Sequence, residues 1–157
     1  RSNGEFKDFT DDMVADWKAT LDAVQTLPEV GDSLPVGYWG LSMGTSLGLP
    51  FVAAEPRITV AVFGLMGFAT GPSDNPWMER GRIRLGGDAP KITVPVLFIQ
   101  QWDDELVSRE NGLNLFNAIA SKDKRLHINP GAHAAVPVEE FDHSEALFVK
   151  HLGVVKL

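Results

Sequence analysis

The stretch Val36-Gly37-Tyr38-Trp39-Gly40-Leu41-Ser42-Met43-Gly44 opens as a short apolar run, turns within two residues, and passes into a segment of helical character ending near Ala54. A strand that meets a tight turn and continues as a helix is the building unit of a layered α/β protein. Gly40 to Gly44 also fits the pattern G-x-S-x-G, which gains meaning when an apolar strand precedes it and a helix follows. In such a turn the serine sits on strained backbone at the carboxyl end of the strand, and a Cβ at either flanking glycine is expected to collide with neighbouring backbone. The Met43 N–H falls at the helix start, without an intrahelical carbonyl, and can donate to an oxygen that develops negative charge. A plainer reading makes Ser42 a helix cap and the glycines packing aids. Pro50, about two turns in, is expected to kink or shorten the helix.

The same alternation continues outward. Asp11 to Leu27 place Met13, Val14, Trp17, Leu21 and Val24 at helical spacing, with Thr10 or Asp11 as N-cap and Pro28 beyond the end. Ile58 to Phe63, Val94 to Ile99 and Arg125 to Asn129 read as three further strands, the first two nearly uncharged, as in a parallel sheet covered on both faces. Helices are expected from about Arg109 to Ala120 and from about Val138 to Leu152. The stretch 64–90, rich in Gly, Pro, Asp and Asn, reads as an irregular excursion covering the sheet. The expected fold is therefore α/β, a three-layer sandwich on a mostly parallel sheet, with residues 1–157 as one domain.

Composition bounds the function. At 157 residues the chain can remove roughly 70% of its unfolded surface from water, and it does so with no cysteine, which rules out a disulfide-stapled fold. The net charge of −7, without a basic cluster, argues against nucleic acid. Ile58 to Met66, the longest apolar run, is far short of the roughly 20 residues that cross a bilayer. With no leader or anchor in view, the cytoplasm is the default location.

A serine hydroxyl needs a base, and the loops after the third and fourth strands offer partners. The first is Gln100-Gln101-Trp102-Asp103-Asp104-Glu105-Leu106-Val107; the second is Asn129-Pro130-Gly131-Ala132-His133. His133 alone among four histidines lies in a loop beyond a strand end. His127, His143 and His151 read as packing or surface residues. Asp103, Asp104 and Glu105 compete as the orienting acid, against the plainer reading of a solvated turn.

Together these residues resemble the α/β-hydrolase superfamily, in particular its serine esterases with a dienelactone-hydrolase-like body, from about Thr10 to the end. The family's acid precedes a valine by three positions, and that register selects Asp104. Gly131-Ala132-His133 resembles its histidine loop, and Gly40 to Gly44 its nucleophile elbow. The resemblance implies a serine hydrolase that cleaves a carboxylic ester of a small molecule, with Ser42 as nucleophile, His133 as base, Asp104 as acid and the Met43 N–H as oxyanion donor. No metal or organic cofactor is implied. Dienelactone hydrolases carry cysteine at the elbow and haloalkane dehalogenases aspartate, so serine sets this chain apart from both. Peptide or thioester cleavage by the same triad, and a non-catalytic hydrolase-like module, are the alternatives. Met66, Phe68, Trp77 and Trp102 could line an acyl pocket or simply pack; Arg80, Arg82 and Arg84 read better as solvated charges than as a carboxylate grip.

The family's sheet usually has eight strands, and the four found here resemble its second half. The strand at 36–40 would then be central, and a flat apolar strand left unpaired invites aggregation. The expected partner is a missing amino-terminal half, or another chain, paired with Val36 to Gly40.

Overall fold

The computed structural model describes residues 9–31 and 34–153, which fall into two compact units divided after Leu34. The sequence reading treats both as one domain. The first unit is the helix α1 (Phe9–Gln25) and the turns after it. It begins two residues earlier than its periodicity suggested, so Thr10 and Asp11 lie inside the helix instead of capping it. Residues before Phe9 lie outside the described part.

The second unit runs β1 (Val36–Trp39), α2 (Met43–Ala54), β2 (Ile58–Gly64), α3 (Pro76–Asp88), a 3-10 turn at Ala89–Lys91, β3 (Val96–Gln101), α4 (Arg109–Ala118), β4 (Lys124–Asn129) and α5 (Glu139–Leu152). The four strands form one sheet in the order β1-β2-β3-β4, and every pairing is parallel. Side chains alternate across the strands and so divide the core into two layers. On one face Val62, Leu97 and Ile99 pack with Leu147 and Phe148 of α5. On the other, Tyr38 meets Phe51 of α2 and Phe63 of β2, while Phe98 meets Phe116 of α4. Helix, sheet and helix make three layers, as expected. β2 and β3 are almost wholly buried because both faces and both edges are covered; β1 and β4 flank the sheet and are more exposed. Among the described residues no strand pairs with the outer edge of β1.

Three sequence expectations need correction. The stretch 64–90 is not irregular throughout: its second half is α3, started by Pro76 in the first helical turn and by the Asn75 side chain, which accepts from the Trp77 and Met78 amides. Pro50 neither ends nor shortens α2, which continues to Ala54. The third strand begins at Val96 instead of Val94 and extends through Gln100 and Gln101, whose polarity disguised a buried strand end.

Candidate active site

The elbow is held by its neighbours. The Gly40 amide donates to Val62 O and the Ser42 amide to Gly64 O at 2.9 Å, tying the turn to β2. Thr45, fully buried, accepts from the Gly64 amide at 2.8 Å, and its hydroxyl lies 2.8 Å from Gly40 O and 2.7 Å from Gly64 O. Ser42 adopts φ 54° and ψ −114°, a left-handed conformation that L-residues rarely occupy. The expected role of the flanking glycines is half right. A Cβ at Gly40 would meet the Tyr38 hydroxyl at 2.6 Å and Gly44 backbone at 2.9 Å, but one at Gly44 finds its nearest neighbour at 3.9 Å. The tight position is Gly48, where a Cβ would lie 1.9 Å from the Tyr38 ring. Tyr38 itself is fixed by donating to Gly44 O at 2.6 Å, and burial pushes its phenol up to about 12.

Beyond β3 and β4 the chain continues in register: the Trp102 amide donates to Asn129 O and the Asp103 amide to Gly131 O. This brings the acid loop beside the histidine loop. His133 Nδ1 lies 2.8 Å from Asp104 Oδ2, and His133 Nε2 lies 2.8 Å from Ser42 Oγ. Asp104 Oδ1 accepts from the Leu106 and Val107 amides at 2.8 and 2.9 Å, so both carboxylate oxygens are occupied and the side chain is only 2% exposed. Burial opposes its charge most, but the hydrogen bonds from Val107, His133 and Leu106 outweigh it and hold the carboxyl below its ordinary value. Of the competing acids, Asp103 is exposed and faces Arg109 at 3.4 Å. Glu105 accepts the His133 amide at 2.9 Å, and that bond holds its carboxyl low as well.

The Met43 N–H occupies the first turn of α2, adjacent to Ser42, while the Met43 side chain is exposed. Met66 is partly buried just after β2, Trp77 is exposed on α3 under Arg80, and Trp102 is half exposed with the Arg109 guanidinium 4.0 Å above its ring. Among the described residues none of these three makes a hydrogen bond or ring contact with Ser42, Asp104 or His133. Phe68 is partly buried, its backbone bonded to Asn111 and Asn114 of α4. Arg82 pairs with Glu79 and Arg84 with Asp88, so those cations serve the protein's own acids.

Two supporting residues were not foreseen as such. Gln101, fully buried, donates to Ala135 O at 2.7 Å, with Ala132 O and Pro130 O at 3.3 and 3.5 Å, and so organises the loop that carries His133. Thr45 performs a similar task at the elbow. Only a polar residue ending an apolar strand hinted at the first; nothing in the sequence hinted at the second.

This is the α/β-hydrolase fold, and comparison with known proteins agrees. The profile of the X-Pro dipeptidyl-peptidase (S15) family matches residues 66–135, less than half of the chain. The zinc-bound structure of a cold-adapted esterase from an Arctic intertidal metagenomic library is 43% identical, with a TM-score of 0.79 over 91% of this chain and 59% of that one. An esterase from Pyrococcus furiosus, 17% identical, superposes with a TM-score of 0.71 over 98% of this chain and 67% of the other. The acylaminoacyl peptidase of Pyrococcus horikoshii, 13% identical, shares the fold with a TM-score of 0.69 over 91% of this chain and 28% of its own. No curated protein matches the chain. The chain thus has the α/β-hydrolase fold, and it spans about three fifths of the length of the Arctic esterase. No helix among the described residues is long and apolar enough to cross a membrane.

Proposed function

We propose that the chain carries the nucleophile, base and acid of a serine hydrolase that cleaves carboxylic esters through an acyl-enzyme. The observation that supports this most directly is the His133 ring spanning Ser42 Oγ and Asp104 Oδ2, 2.8 Å from each. With Asp104 ionised, Nδ1 carries the ring proton and the Nε2 lone pair faces the serine hydroxyl. As Oγ bonds to the carbonyl carbon, its proton passes to Nε2 and the carbonyl electron pair moves onto oxygen, where the Met43 N–H meets it. Collapse breaks the bond to the alkoxy oxygen, which leaves with the Nε2 proton. Water repeats the sequence on the acyl-serine and releases the acid. Met66, Phe68, Trp77 and Trp102 are the apolar side chains available for the acyl group, and the outer edge of β1, which pairs with no strand among the described residues, is the place for a further strand, from a preceding half of the fold or from another chain.

The 43% identity to an esterase favours esters. A peptidase reading has one specific support, the S15 family match over residues 66–135. A panel of short-chain nitrophenyl esters against Xaa-Pro nitroanilides separates the two. Ser42→Ala is expected to abolish ester turnover and fluorophosphonate labelling while leaving the circular dichroism unchanged; turnover that survives it would refute the assignment.

A further inference from the structure

Away from the triad, the structure assembles a second set of donor side chains. His127 lies on β4, and Glu140 and His143 lie one turn apart on α5, so strand and helix present all three to one another. Glu140 is buried, with its Oε2 2.9 Å from His127 Nδ1 and 3.4 Å from His143 Nδ1, and the three donor atoms lie within 4.8 Å of one another. The imidazole rings stand 4.9 Å apart and nearly perpendicular. The sequence reads both histidines as ordinary packing or surface residues.

We propose that His127, Glu140 and His143 form a binding site for a divalent transition metal of the zinc class. Two imidazole nitrogens and a carboxylate oxygen are the donor set zinc takes when a fourth position is left to water. Two ligand atoms each about 2.1 Å from a tetrahedral ion stand about 3.4 Å apart. The Glu140–His143 separation already has that value, and the half-exposed His143 is free to bring its nitrogen closer to that of His127. The carboxylate is also held from behind: Asn129 Nδ2 donates to Glu140 Oε1 at 2.9 Å, the outer-shell support that metal-binding carboxylates use. His143 and His127 are 54% and 30% exposed in their side chains, which leaves an entry path from solvent.

The position gives the ion a consequence. Its ligands stand before and after the loop 130–138, which carries His133, so a bound metal would clamp both ends of that loop. The site is independent of the hydrolase reading, since its ligands are other than Ser42, Asp104 and His133.

Isothermal titration of the chain with zinc chloride, and optical titration with cobalt chloride, test it. One equivalent is expected to bind, with the intense visible bands of four-coordinate cobalt. The thermal midpoint should rise by about 5–10 °C at a hundredfold excess of free zinc over Kd. His143→Gln, an exposed change, should weaken binding at least tenfold, as should His127→Ala, whereas His133→Ala should leave it intact. Failure of the unaltered chain to bind stoichiometrically, or binding that survives His143→Gln and disappears with His133→Ala, would overturn the proposal. Loss of ester turnover in Ser42→Ala with zinc binding retained keeps the two readings separable.

Discussion

At the scale of single residues, the elbow depends on one aromatic ring. Tyr38 reaches from β1 under α2 to bond Gly44 O, and the space it fills is the space a side chain at position 48 would need. Gly48→Ala is therefore expected to destabilise the chain by about 1–3 kcal/mol through overpacking, whereas Gly44→Ala, whose Cβ would make only an ordinary van der Waals contact, should change stability by less than about 1 kcal/mol; urea unfolding distinguishes them. Asp104 yields a pH prediction. Its folded pKa is lowered, so the stability it contributes is complete above the unfolded carboxyl range, near about pH 4, and is lost as pH falls through the depressed folded value. Asp104→Asn should remove that acid-limb dependence from the unfolding profile and also lower kcat by about three to four orders of magnitude, because the amide favours the wrong imidazole tautomer. The three residues of the proposed triad could be singled out because each follows a strand within a short, recognisable loop. Gly48 was not, because the atom that constrains it belongs to a residue ten positions earlier.

At the scale of elements, helices and strands were readable wherever burial imposed a clean period, as in α5, or a continuous uncharged run, as in β2. They were misread where polar chemistry does the work. α3 starts through an Asn75 cap amid Gly, Pro and Asp, and β3 ends in two buried glutamines whose amides donate to the carbonyls of Arg109, at the start of α4, and of Ala135. Gln101→Leu should leave the Ala135 carbonyl without its donor. The expected cost is about 1–3 kcal/mol by denaturant titration, with a further fall in kcat as the His133 loop loses its anchor. The continuity of α2 through Pro50 shows the opposite balance, with packing of Leu49, Phe51 and Val52 outweighing one lost backbone hydrogen bond.

At the scale of the whole molecule, the rim of the sheet where β1, β3 and β4 end is where the three loops converge, and β2 supplies the backbone that holds the first of them in place. That support has a thermodynamic corollary. A left-handed backbone at a residue bearing a side chain is uphill by about 1–3 kcal/mol, and only the surrounding bonds keep Ser42 there. Ser42→Gly should consequently unfold at a higher temperature than the natural chain, even though it has no hydroxyl to offer. A variant selected purely for heat resistance would drift toward glycine at position 42 and give up the hydroxyl that the proposed chemistry needs.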